Sequence, residues 1–287
     1  MSHFEATYGN TPMHYEPKSK AHYAVFGYGE WINYCANASK SSTASEESSK
    51  RDETGDSSPW TGTETWDEAM KYAKFGWDAG IRDLIDHVET DSTLINVEHS
   101  LVGHAVDVGR FLTGVPDSMV SFYDDSYRNK APITVYVKMT YTCEISGEEA
   151  MEYCGKILET ISLLNRTFNV KLVGVFWSQH DRVSDSLVLV NIKDTDERFV
   201  LNNLAFSFNP ANFRRLWFRF LESSNYWEWG YGRSPHGGFG KGKIADALTE
   251  IQPPNEQILF LPDIYDRKKL NPTEIVAKAV AEQQGKK

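Results

Sequence analysis

The densest group of residues able to do chemistry lies between Asn209 and Lys243. Phe213, Leu216, Trp217, Phe220 and Leu221 fall on one apolar helical face, and Arg214, Arg215 and Arg219 fall mainly off that stripe. An aromatic run from Tyr226 to Arg233 (YWEWGYGR) follows, and after it Lys241 and Lys243. Guanidinium forks bind phosphate oxygens, and aromatic rings stack on bases. Arg214, Arg215, Arg219, Arg233, Lys241 and Lys243 are therefore the candidates for contact with nucleic acid or phosphate. The competing reading is an amphipathic helix with solvated arginines, followed by an aromatic core loop. Convergence of the arginines in space would separate the two.

Other chemistry is thinner. Gly237 to Ile244 (GGFGKGKI) nearly matches a phosphate-binding loop, but Ile244 stands where a hydroxyl would hold magnesium. A nucleotide-handling enzyme using Lys243 is one reading of it; a glycine loop is the simpler one. His87, His99, His104, His180 and His236 have no zinc-ligand spacing. No Gly-x-Ser-x-Gly elbow occurs, and Asp124 and Asp125 form no pair that sequence certifies. No catalytic residue is assigned, and no cofactor is expected.

The elements that must position these residues follow from periodicity. Ile133 to Tyr141 alternates as a strand, and Ser146 and Glu149 have the spacing of a capping box. Met151, Cys154, Ile157, Leu158, Ile161 and Leu164 then mark a long buried helix face. Val170 to Trp177 reads as a strand buried on both faces, and Ser186 to Lys193 as another, joined by a hairpin-like turn at Asp181 to Asp185. Helix starts are expected at Asn209-Pro210 and Asn271-Pro272, with a strand at Gln257 to Leu261 between them. Further forward, a strand is expected at Tyr23 to Tyr28, a short helix at Glu30 to Ala36, and a helix opened by Thr65 and Glu68 and closed by Gly76. Asp78 is expected to cap a helix through Ile81, Leu84, Ile85 and Val88, and Asp107 a short segment through Phe111 and Leu112. Ala38 to Ser58 holds no large apolar residue and reads as a mobile polar loop, with regulatory phosphorylation as the sharper alternative.

The expected organisation is an N-terminal arm with a short strand and helix over 1–37, a polar loop over 38–59, a helical region over 60–128 and an α/β domain over 129–287. Strands alternating with helices predict an α/β fold, a helix-flanked and mainly parallel sheet with an α+β N-terminal region.

Two resemblances attach to particular residues. Gly103 to Met119 (GHAVDVGRFLTGVPDSM), with Thr63 to Ala69 and Phe75 to Trp77, resembles a family of proteins encoded by tailed bacteriophages and some bacteria. The order of elements from Ile133 is similar to a von Willebrand factor A domain, which belongs with the Rossmann-like folds. That resemblance implies a metal site at the end of the first strand, built from Asp-x-Ser-x-Ser. Only Thr140, Thr142, Glu144 and Ser146 stand in that stretch and the leading Asp is missing, so the site is degenerate and a bound cation is not expected. The alternative reading gives Ser146 the role of helix cap.

Composition bounds the rest. The chain has 287 residues and a net charge of −10, which disfavours nonspecific nucleic-acid binding over its whole surface. Cys35, Cys143 and Cys154 are odd in number and widely spaced, as suits a reducing compartment. No apolar run long enough for a membrane span and no secretory pattern within Met1 to Tyr15 is present, so a cytoplasmic protein is expected, in the host cytoplasm if phage-encoded. The leading expectation is a noncatalytic interaction or assembly protein that binds a protein partner or its own copies. The runner-up is a nucleic-acid-binding protein of phage replication, transcription or packaging.

Overall fold

The computed structural model describes residues 4–8, 11–16, 21–40, 48–51, 61–77, 98–100, 105–106, 112–114, 116, 118–121, 130–141, 144–180, 184–195, 197, 201–223, 248 and 257–285. Their strands are β1 Phe4–Tyr8, β2 Thr11–Glu16, β3 Ala21–Gly27, β4 Glu98–Ser100, β5 Ala105–Val106, β6 Met119–Ser121, β7 Ala131–Lys138, β8 Phe168–His180, β9 Ser184–Lys193 and β10 Gln257–Phe260. The helices are α1 Tyr28–Asn37, α2 Trp66–Phe75, α3 Gly147–Asn165, α4 Leu201–Phe208, α5 Phe218–Ser223 and α6 Pro272–Gly285. A π-helical stretch, Asn212–Trp217, precedes α5, and short 3-10 turns span Ser48–Lys50 and Ile264–Lys269.

Strands β1-β2-β3-β9-β8-β7-β10 form the main sheet in that order. From β3 to β10 it is mixed but mostly parallel: β3/β9, β8/β7 and β7/β10 run parallel, and only β9/β8 is antiparallel. The expected α/β class and the antiparallel pairing of β8 with β9 are thus present. β1 and β2 add two antiparallel strands where the sequence suggested an irregular arm. Because β3 pairs with β9, β1, β2 and β3 belong to the same sheet as the strands of the C-terminal half. A second, three-stranded sheet pairs β4 and β5 on either side of β6. The helix proposed after Asp78 lies outside the described residues, as does all but Leu112 of the segment from Asp107 to Leu112.

β8 explains the two-faced core. Val170, Leu172 and Phe176 pack into the larger cluster with α1, α3 and the π-helical stretch. Val173, Val175 and Trp177 face the other way, into a cluster with Tyr136, Leu187, Leu189 and Leu248. Apolar residues facing both sides are what a near-continuous hydrophobic strand requires. α3 buries Cys154, Ile157, Leu158, Ile161 and Leu164 as its periodicity predicts. Its N-terminus is a capping box: Ser146 Oγ accepts from the Glu149 N–H at 3.1 Å, and the Ser146 N–H donates back to Glu149 at 3.0 Å. In α2 the Thr65 hydroxyl oxygen accepts from the Glu68 N–H, and Gly76 ends the helix with φ +99°.

The helix expected at Asn209-Pro210 starts there, with Pro210 its first helical residue, but its winding differs from the expectation. α4 already precedes it, and Asn209 sits at a bend where its Oδ1 accepts from the Ala211 N–H at 2.8 Å. The chain then widens into the π-helical stretch instead of an α-helix. Within that stretch the Asn212 amide serves two neighbours: its oxygen accepts from Trp31 Nε1 at 3.0 Å and its NH2 donates to the Ser207 carbonyl at 2.9 Å. Gly62, at φ +76°, packs so close to this bend that a Cβ would lie 2.8 Å from the Ala211 nitrogen.

Candidate functional site

The chain leaves β7 through α3 to reach β8 on one side, while β10 lies on the other, so the connections change direction at β7. In open α/β sheets ligands bind outside the carboxyl ends of the strands at such a point. Here that crevice is closed from within. Lys138, the last residue of β7, donates from Nζ to Asp263 Oδ2 at 2.5 Å, tying the end of β7 to the turn after β10. The ammonium also lies 5.3 Å from the centre of the Trp177 ring. The Lys138 side chain is 3% exposed and that of Asp263 25%, so solvent reaches the pair from the acid's side. Burial raises the Asp263 carboxyl above its usual range against the opposing pull of Lys138.

Behind the pair lies a cavity lined in part by Met139, Tyr141, Tyr153, Asn209, Phe213 and Ile264. It measures about 260 Å³ counting its open mouth, with interior room for about one water molecule. Tyr153 Oη donates to the Pro262 carbonyl at 2.7 Å, and burial pushes its phenol well up. Tyr141 Oη and Asn209 Nδ2 are buried with no hydrogen-bond partner among the described residues. Burial holds the Tyr141 phenol up at about 12 against the Arg214 guanidinium beside it, so it stays protonated at neutral pH.

The degenerate metal set does not gather in this crevice. Thr140 is fully buried, Glu144 is exposed, Ser146 caps α3, and Thr142 lies outside the described residues. Among the described residues no three of His, Cys, Asp or Glu come together.

The arginines do converge, but inward. Arg214, Arg215 and Arg219 are 1%, 0% and 3% exposed, which corrects the expectation that they stand off the buried stripe. Every residue from Ala205 to Glu222 is buried, so this segment has no solvent face to which its arginines could turn. Arg214 donates to the Ile145 carbonyl at 2.9 Å and covers the Tyr141 ring. Arg215 donates to four carbonyls: Ser49 at 3.1 Å, Arg51 at 3.0 Å, Thr63 at 2.8 Å and Glu64 at 2.9 Å. Arg219 donates through Nε and Nη2 to the Ala38 carbonyl and pairs with Glu222 at 3.5 Å. Glu222, also fully buried, accepts from both the N–H and the hydroxyl of Ser49. Burial raises its carboxyl, opposed by those Ser49 bonds and by Arg219. Arg233, Lys241 and Lys243 lie outside the described residues, with the whole glycine loop.

Sequence reasoning missed Lys138, Asp263, Ser49 and Glu222. One trace of Lys138 was available: a lysine closing the alternating run after Thr134 and Tyr136 points into the sheet. For Ser49 and Glu222, 173 positions apart, no local signal exists. Cys35 and Cys154 are both free and fully buried, and burial raises each thiol well above its usual range, so neither is poised as a nucleophile. No helix among the described residues is long and apolar enough to cross a membrane.

A family model described as a domain of unknown function, DUF7192, matches residues 9–286, and the chain belongs to that family. No curated protein matches the chain. No solved structure matches it either.

Proposed function

We propose that this member of the DUF7192 family is a noncatalytic interaction or assembly protein that binds a protein partner or copies of itself. The observation that carries this reading is the filled crevice at the end of β7. Lys138 and Asp263 neutralise each other there, and the space behind them takes a water, not a substrate. The Cys35 and Cys154 thiols are both buried, which withholds them from an incoming substrate. The A-type resemblance of the element order from Ile133, and the phage resemblance of residues 103–119, fit a scaffold that works by contact. Of the candidates for the nucleic-acid reading, Arg233, Lys241 and Lys243 are left to carry it, because the three described arginines serve backbone carbonyls.

The test combines assembly and turnover. Light scattering on the purified chain across a hundredfold concentration range should show concentration-dependent association. Association should persist in Lys138→Met. Hydrolysis of simple phosphate or acyl esters that disappears in Asp263→Asn would instead make the crevice an active site and refute the reading.

A further inference from the structure

Two buried donors line one cavity without an acceptor. The cavity behind the Lys138–Asp263 pair counts Tyr141 and Asn209 among its lining residues. Tyr141 is 6% exposed and Asn209 2%. The hydroxyl of the first and the NH2 of the second have no hydrogen-bond partner among the described residues. Both act as donors. Asn209 Oδ1 accepts from the Ala211 N–H at 2.8 Å, which fixes the way the amide faces and makes its other arm the NH2. The Tyr141 hydroxyl keeps its proton at neutral pH. A buried donor with no acceptor destabilises a fold, and native proteins hold few of them.

The rest of the lining selects the occupant. Met139, Ala150, Phe208, Phe213 and Ile264 bring apolar side chains, and Tyr153 has its hydroxyl on the Pro262 carbonyl. Lys138 brings an ammonium to the same wall, and the Arg214 guanidinium stands 5.0 Å from the centre of the Tyr141 ring. Asp263 opposes them with one carboxylate, which meets Lys138 from the solvent side. Donors and cations in an apolar frame favour an occupant that only accepts. A water needs acceptors for its own two hydrogens, whereas a halide needs none. The interior has room for about one water molecule, and a chloride ion is only slightly larger.

We propose that this cavity is a chloride site, in which Tyr141 Oη and Asn209 Nδ2 donate to the ion and Lys138 supplies the field that holds it. The ion fastens the segment after β7, where Tyr141 stands, to the bend after α4, where Asn209 stands. A monatomic ion is no substrate and needs no partner chain. This inference and the reading of the chain as an interaction protein therefore fail separately.

Thermal denaturation of the full chain is the assay, with sodium chloride exchanged for sodium gluconate at constant ionic strength. Gluconate is far too large for the interior. Binding to the folded state alone should raise Tm by about 3 °C for each tenfold rise in chloride above half-saturation, and bromide should act likewise. Tyr141→Phe keeps the ring and removes one donor to the ion. In gluconate it should match or exceed the Tm of the parent, and it should need about tenfold more chloride for the same rise. Asn209→Asp keeps an oxygen for the Ala211 N–H, sets a carboxylate against the ion and should abolish the chloride response. Equal Tm for the parent in chloride, bromide and gluconate leaves the cavity to water alone and overturns the proposal. A Tyr141→Phe chain that responds to chloride as the parent does overturns it too, since the ion then sits elsewhere. So does a loss of Tm in Tyr141→Phe that is as large in gluconate as in chloride, because the hydroxyl then has a standing partner other than the anion.

Discussion

Replacing Arg215 with Met should be among the most damaging single changes in this protein. The side chain is fully buried and its guanidinium ends on four carbonyls at 2.8–3.1 Å, from Ser49, Arg51, Thr63 and Glu64. The bonds to Ser49 and Thr63 are buried, while those to Arg51 and Glu64 are partly buried and open to water. Methionine fills much of the volume, so the dominant loss is two buried carbonyls without donors, each about 1–3 kcal/mol. A loss of about 4 kcal/mol in unfolding free energy follows, equivalent to about 10 °C in Tm for a chain of this size. Arg214→Met is the internal control. It removes one carbonyl bond and one ring contact and should cost about half as much. Urea denaturation followed by tryptophan fluorescence measures both. A cost below about 1 kcal/mol for Arg215→Met, or one no greater than that of Arg214→Met, would refute the assignment of Arg215 as the staple of the 48–64 segment.

Gly62→Ala forces a Cβ against the Asn209 side chain and within 2.8 Å of the Ala211 nitrogen at a positive φ, and should cost about 2–4 kcal/mol. Gly114→Ala, at φ +72° with open space around it, should cost only the backbone part, about 1–2 kcal/mol by the same denaturation assay. Lys138→Met leaves Asp263 partly buried without its ammonium and should cost about 2 kcal/mol, discounted for the acid's access to solvent. Adding Asp263→Asn should recover much of that loss in a double-mutant cycle. Asp263 and Glu222 both have folded pKa values raised by burial, so their relative contribution is full below the unfolded carboxyl range and is lost as pH rises through the folded values. Asp194 has the opposite sign: burial pushes its pKa up, but the Thr195 N–H and Lys171 outweigh that, so its contribution is lost as pH falls. Asp263→Asn should therefore flatten the decline in Tm as pH rises above the ordinary carboxyl range, on the order of a degree or two, and Asp194→Asn should leave that decline unchanged.

Where signals are local, the sequence was readable. The Ser146 and Glu149 capping box, the face of α3 and the doubly buried β8 each depend on residues a turn or a strand apart. The C-terminal helix begins at Pro272 just after Asn271, as that dipeptide predicts. β1 and β2 are not legible because short, polar strands gain their order from pairing, β1 with β2 and β2 with β3, not from their own pattern. The composition from Ala38 to Ser58 offers no large apolar side chain to bury and so predicts a mobile loop, yet Ser49 is fully buried and bonded to a carboxylate far along the chain. The arginines were legible as a cluster but not as an inward one. The segment that carries them is buried all round by distant parts of the chain, and their acceptors are backbone carbonyls without sequence identity.

The parallel pairing of β3 with β9 bears on how the molecule is made. Ala24 sits opposite Val188, more than half the chain away. During synthesis the edge of β3 away from β2 must wait until β9 has emerged, and loops of that length close slowly. A nascent chain stalled before residue 184 lacks every residue of β9, so its first 27 residues should be digested by protease while they await their neighbour. Release of a chain that includes Lys193 should protect them together with the antiparallel pair they join.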